Sequence, residues 1–171
     1  MNQQLLFVTG APGSGKSTTL AAMLKLNSEY LVLDIDWLID SSSELSEKNL
    51  YTDSSAWPAY GRMWFDVLRS ICRNSIQPLF FCPNSPSDIE EFGKPTWCTE
   101  IHWLLLDCSD AVRSKRLSER QDWGAERRRE ALADAAELRQ SVSRIVDTSD
   151  ITSSEVASKV LRWADEMMTG N

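Results

Sequence analysis

Apolar residues recur along the chain in short runs set between longer, helically spaced stretches. Leu5-Leu6-Phe7-Val8 is the first run, and Thr18 to Leu24 follows it with helical character. Tyr30-Leu31-Val32-Leu33 is a second run; its far end carries Asp34 and Asp36 on either side of Ile35, before Trp37. Residues 40–56 are rich in Ser, Glu, Asn and Asp and read as a polar loop or a short, poorly formed helix. From Pro58 to about Arg73 the positions Met63, Trp64, Val67, Leu68 and Ile71 have helical spacing. Gln77 to Pro83 is a third apolar run, Ile101 to Asp107 a fourth and Arg144 to Thr148 a short fifth. Ser87 to Glu90 and Thr152 to Glu155 match capping boxes, and Ser109 can cap a helix over Asp110–Arg120. A further helix is predicted from about Ala125 to Gln140, and a last one carries Val156, Val160, Leu161, Ala164 and Met167. Short apolar strands alternating with helices predict an α/β chain whose parallel sheet is covered on both faces.

The stretch joining the first strand to the first helix is Gly10-Ala11-Pro12-Gly13-Ser14-Gly15-Lys16-Ser17, which fits G-x-x-x-x-G-K-[ST], the phosphate-binding P-loop. A backbone that wraps phosphate oxygens needs positive φ and close approach, which glycine supplies. Backbone amides at the helix start form an anion nest, strengthened by the helix dipole. Lys16 can reach the outer phosphates, and the Ser17 hydroxyl can serve Mg²⁺. Thr18 stands next in the same helix start.

Ligands of such sheets bind beyond the carboxyl ends of the strands. That rule places the loop, Asp34, Asp36, Pro83-Asn84 and Asp107 on one rim. Two apart on a strand, Asp34 and Asp36 would point to one face, one near a metal and the other near an acceptor hydroxyl. Arg113, Arg116 and Arg120 are spaced by three and four, so one helical stripe could bring positive charge to a transferring phosphoryl group. The alternative is a solvated face, and Arg127-Arg128-Arg129, flanked by Glu126 and Glu130, reads that way. Trp37, Trp57, Tyr60, Arg62 and Trp64 form either a wall for an acceptor ring or ordinary packing. His102 reads as structural. Asp107 ends a strand as a Walker B acid would, but Cys108 rather than Glu follows, and no N-K-x-D guanine signature occurs.

Composition narrows the classes. The chain has 171 residues, 42% hydrophobic and 25% charged, in keeping with one domain over 1–171. A net charge of −7 argues against a general nucleic-acid field. No run approaches the ~20 apolar residues of a membrane span. Met1-Asn2-Gln3-Gln4 lacks the positive charge of a signal peptide. Cys72, Cys82, Cys98 and Cys108 contain no C-x-x-C pair and are read as reduced thiols of a cytoplasmic protein rather than a zinc site.

Taken together, Gly10 to Ser17, the D-x-D of Asp34-Ile35-Asp36 and the lid-like R-x-x-R-L-x-x-R from Arg113 to Arg120 resemble the P-loop kinases of small molecules and nucleotides. That group includes nucleoside monophosphate, shikimate, gluconate, chloramphenicol and polynucleotide 5′-hydroxyl kinases. The resemblance implies a P-loop NTPase three-layer sandwich with a five-stranded sheet of order 2-3-1-4-5. It also implies a lid over about 113–130 and an acceptor region over about 36–70. Asp147-Thr148-Ser149 is similar to the loop near the adenine, which makes Thr148, Arg113 and Arg120 nucleotide-binding candidates beside the P-loop residues. Likeness to polynucleotide kinases makes Asp36 the base; Lys16, Arg116 and Arg120 are the other catalytic candidates, and Ser17 and Asp34 the metal candidates. Asp36, Trp37, Tyr60, Arg62 and Asn84 are the acceptor-side candidates. The implied activity is transfer from ATP, with Mg²⁺, to a hydroxyl or phosphate of a small acceptor, nucleoside-like among the options. A polynucleotide 5′-hydroxyl kinase is one alternative. A P-loop ATPase switch acting on a protein partner is another.

Overall fold

The computed structural model describes residues 3–26, 28–121 and 123–170. In order the elements are β1 (Gln3–Thr9), α1 (Lys16–Met23), β2 (Tyr30–Asp34), α2 (Ile39–Ser46), α3 (Trp57–Arg73) and β3 (Gln77–Phe81). They continue with α4 (Pro86–Phe92), β4 (Cys98–Asp107), α5 (Asp110–Ser118), α6 (Ala125–Ser141), β5 (Ile145–Asp147) and α7 (Ser153–Thr169). The strands form one parallel sheet of order β2-β3-β1-β4-β5, as the family resemblance implied.

Unbroken apolar runs suit strands that are buried on both faces. Leu6 and Val8 of β1 point to a core shared with α1 and α7, where Leu20, Met23, Val160 and Trp163 meet them. Leu5 and Phe7 point the other way, toward Tyr60, Trp64, Phe65 and Leu68 of α3. There Phe7 lies against Phe80 and Trp103, each with ring centroids 5.1 Å away. Five of the seven tryptophans, Trp57, Trp64, Trp97, Trp103 and Trp163, thus take part in packing.

Several local expectations shift. The polar segment 40–56 contains α2 and a 3₁₀ turn over 54–56 capped by Asp53. The capping box of α4 is Ser85 with Asp88, two residues earlier than Ser87 with Glu90, because Pro86 favours the first helical position and Ser85 lies just before it. β4 begins at Cys98, so His102 lies inside that strand rather than at its start, beside Gln4 and Glu100. α5 ends at Ser118, which leaves Arg120 beyond the helix and off the arginine stripe. All four cysteines are free, and burial pushes the Cys82 thiol up to about 12, so it stays protonated near neutral pH. Among the described residues no helix is long and apolar enough to cross a membrane.

A charged clamp joins three elements beneath the loop between β1 and α1. Arg113 of α5 is wholly buried; it donates to Asp107 Oδ1 at 2.5 Å and to the Pro12 carbonyl at 2.5 Å. Arg139 of α6 donates to Asp107 Oδ2 at 2.6 Å, to Asp110 at 2.8 Å and to the Cys108 carbonyl at 3.0 Å. Removing one partner of a buried pair strands the other charge, at about 3–5 kcal/mol. Asp107→Ala is therefore expected to destabilise the fold by about 3–5 kcal/mol, while Asp110→Ala, at an exposed pair, costs under about 1 kcal/mol. Urea unfolding of both variants checks this; similar small losses in the two would refute the clamp.

Candidate active site

The loop itself is shaped by its glycines. Gly13 and Gly15 have φ of 82° and 95°, a region that side chains with a Cβ rarely occupy. At Gly10 the limit is space: a Cβ there would sit 2.5 Å from the Leu106 carbonyl and 2.6 Å from Ser14 Oγ. Ala11, Gly13 and Ser14 are buried and Pro12 is half-buried. The loop carbonyls are engaged from outside. Pro12 accepts from Arg113, Gly13 from Arg116 Nη1 at 3.1 Å, and Ser14 from Thr148 Oγ1 at 2.8 Å. Thr148 in turn is held by its own amide on the Asp107 carbonyl at 2.7 Å.

With the carbonyls drawn outward, loop amides are left for a ligand. The Ser14 amide bonds the Ala11 carbonyl, but those of Gly13 and Gly15 have no acceptor among the described residues. Gly15 is the N-cap of α1 and no side chain caps this helix, so its first amides are also open. Ser17 is exposed and its hydroxyl makes no hydrogen bond among the described residues; Thr18 Oγ1 turns back to the Gly15 carbonyl at 2.8 Å. Orphan amides at a helix start, backed by the dipole, form a seat for phosphate. Lys16 is half-buried and donates to the Gly10 carbonyl; loss of water around its amine lowers its pKa, while Asp36 and Asp34 pull it back up.

Asp34 and Asp36 do not share one strand face. β2 ends at Asp34, and Asp36 lies in a 3₁₀ turn, Ile35–Leu38. The Asp34 carboxylate accepts from the Asp36 amide at 3.0 Å, and this local bond stops the strand and starts the turn. Partial burial raises the pKa of both carboxyls, opposed by the charge of Lys16. The structure therefore gathers Lys16, Asp34 and Asp36 at one strand end, by a turn rather than by strand alternation. Tyr60 is buried, not a wall residue: its hydroxyl donates to the Ile35 carbonyl and braces that turn.

On the other flank Arg116 reaches both the loop and Thr148, whose carbonyl accepts from Nη2 at 2.6 Å. Arg113 has no exposed surface, so its guanidinium holds the loop from below instead of facing solvent. Arg120 lies over the Trp123 ring, 5.6 Å from its centroid, at the turn toward α6. Of the predicted lid over about 113–130, Asp122 lies outside the described residues. Arg139 escaped sequence reading altogether, since nothing in its helix marks which arginine meets Asp107.

A cleft of 570 Å³ opens against Ala11 and Pro12 of the loop. Trp57 and Pro58 at the start of α3 form one side, and Pro83, Asn84 and Ser85 after β3 another. Asp88 and Glu91 of α4 face it together with Asp134, Glu137 and Leu138 of α6. The volume lies within the usual range for small-molecule sites. Of the acceptor-side candidates Asn84 lines this cleft. Trp37 and Arg62 are exposed and do not line it; of the aromatic residues expected to form a wall, Trp57 lines it. The acidic residues were missed: Asp134 and Glu137 are three apart on α6, a spacing that reads equally as a solvated face.

No family model matches the chain, and no curated protein sequence matches it. Solved structures do. The tunicamycin resistance protein of Deinococcus radiodurans is similar with a TM-score of 0.68 at 16% identity, over 96% of each chain. An unliganded sugar kinase from Janibacter sp. HTCC2649 is similar at 0.66 and 18%, over 96% of this chain and 95% of that one. Shikimate kinase from Acinetobacter baumannii, in complex with shikimate, gives 0.62 and 16%, over 97% and 94%. At these identities the likeness is one of fold, and it extends over nearly the whole chain: a three-layer α/β sandwich shared with small-molecule kinases.

Proposed function

We propose that the protein is an ATP- and Mg²⁺-dependent phosphotransferase that moves the γ-phosphoryl group to a hydroxyl of a small acceptor. The observation that carries this reading is a shared wall. The loop with open amides also forms one side of the 570 Å³ cleft, so a phosphate chain and an acceptor can meet at Ala11 and Pro12. The kinase-like fold supports it. A switch would need the phosphate seat but no such cleft. The cleft is lined by four carboxylates and by no lysine, arginine or histidine among the described residues. That lining disfavours a phosphate acceptor and a polynucleotide, both of which bring negative charge of their own.

In this reading the amides of Gly13, Gly15 and the α1 start hold the phosphates, and Lys16 leaves the Gly10 carbonyl to contact them. Mg²⁺, when bound, neutralises phosphate charge; the Ser17 hydroxyl and the unbonded Asp34 Oδ2 are the groups able to hold it. The acceptor oxygen forms a bond to the γ-phosphorus as the bond to the ADP oxygen breaks, and its proton passes to the Asp36 carboxylate. Arg116 and Arg120, within a lid over about 113–130, add positive charge near the phosphates.

Three outcomes test the assignment. Lys16→Ala is expected to keep the circular dichroism of the wild type and lose transfer, read as ADP release; full activity in the folded variant ends the kinase reading. Asp36→Asn is expected to bind ATP normally and lose about 10²–10⁴-fold in turnover. Because the Asp36 carboxyl lies above its usual 3.8, the base is lost as pH falls through that raised value. The acid limb of kcat/KM should then lie above the ordinary aspartate value and vanish in Asp36→Asn. An unchanged pH profile assigns the base elsewhere. Arg116→Ala is expected to lower turnover more than it raises the ATP Kd; stopped-flow turnover beside equilibrium binding separates the two, and equal changes leave Arg116 as a brace of the loop alone.

A further inference from the structure

The cleft beside the loop has a charge pattern that the transfer chemistry does not require. Asp88 and Glu91 come from α4, and Asp134 and Glu137 come from α6. Glu91, Asp134 and Glu137 make no hydrogen bond or ion pair among the described residues; Asp88 uses one oxygen, Oδ2, to cap its own helix at 2.7 Å. The crowding is felt. Partial burial and then the charges of Glu137 and Glu130 raise the Asp134 carboxyl, and Lys16 and Arg113 only partly offset them. Two helices far apart in sequence thus bring uncompensated negative charge to one small cavity.

A second feature of the cavity points to a ligand independently. Asn84 is 8% exposed and lines the cleft, and its carboxamide makes no hydrogen bond among the described residues. Its polar atoms are not sealed from the cleft, so a molecule seated there can reach them. Its backbone carbonyl is already taken by Thr9 Oγ1 at 2.7 Å, so the carboxamide is the free group. At the rim the half-buried Trp57 offers an aromatic face, to which ammonium groups are attracted.

We infer that the acceptor is a cationic polyol, a small ring bearing hydroxyls and at least one ammonium group. It is held by the carboxylates of α4 and α6 and oriented by the Asn84 carboxamide. This rests on the phosphotransferase reading for the fate of the hydroxyl, but the charge class stands on the cleft alone. The ammonium groups meet Asp134, Glu137 and Glu91, and a neighbouring hydroxyl meets Asn84. Neutral polyols lack the first contact, and anionic ones are repelled.

The test is a binding comparison, separate from turnover. The full chain, loaded with Mg²⁺ and a non-hydrolysable ATP analogue, is titrated calorimetrically with 2-deoxystreptamine, myo-inositol and quinate, which are cationic, neutral and anionic rings of similar size. At low salt the diamine is expected to bind about tenfold or more tighter than inositol, the sum of several partly exposed charge contacts. Quinate is expected to bind weakest. Raising the salt to about 0.5 M should shrink the preference. The double substitution Asp134→Asn with Glu137→Gln should reduce it to about twofold, with thermal unfolding confirming an intact fold. Inositol or quinate binding as tightly as the diamine overturns the inference, as does the absence of saturable diamine binding up to about 10 mM. Diamine binding without phosphoryl transfer would instead keep the charge class and count against the phosphotransferase reading.

Discussion

The site depends on where the carbonyl oxygens of one loop point. A backbone that presents amides inward must turn its carbonyls outward, and those oxygens need partners. Here Arg113, Arg116 and Thr148 supply them for Pro12, Gly13 and Ser14. Arg113 can do this from a fully buried position because Asp107 neutralises it, and Asp107 is held on its other side by Arg139. The strand-end acid of β4 thus supports the phosphate seat from below, with both carboxylate oxygens occupied by arginines. The open amides of the loop and of α1 follow from that support, since no side chain caps the helix.

The two flanks of the loop differ in charge for a structural reason. On the α5 side, arginines and Thr148 press against the backbone. On the α3–α4 side the neighbours are Pro83, Asn84 and the carboxylates of α4 and α6. The Asp34–Asp36 turn lies near Lys16, and all three charges influence one another. Phosphate-binding character and acid character therefore meet across a few residues of backbone. That is the arrangement expected where a polyanion delivers a phosphoryl group to something less negative than itself.

Much of the architecture was legible because it is written in local patterns. The apolar runs at Leu5–Val8 and Leu104–Leu106 are continuous, as both-face burial demands, and the glycines at 10, 13 and 15 announce a backbone that no other residue type would permit. The D-x-D was found as a motif, but its geometry was misjudged. Strand alternation assumes the strand continues, and the Asp34 carboxylate ends it by bonding the Asp36 amide. The arginine stripe erred similarly: i, i+3, i+4 spacing holds only inside a helix, and α5 stops at Ser118.

By itself the sequence determined the strand and helix succession, the phosphate loop and the rim on which Asp34, Asp36, Asn84 and Asp107 sit, because each depends on neighbours within a few residues. The tertiary structure decided which arginines meet Asp107, that Tyr60 braces a turn rather than facing a ligand, and that α4 and α6 turn their acids toward one cleft. Those outcomes join residues 25 to 49 positions apart along the chain. Spacing along one element says which residues share a face; only the packing of elements across the sheet says what that face meets.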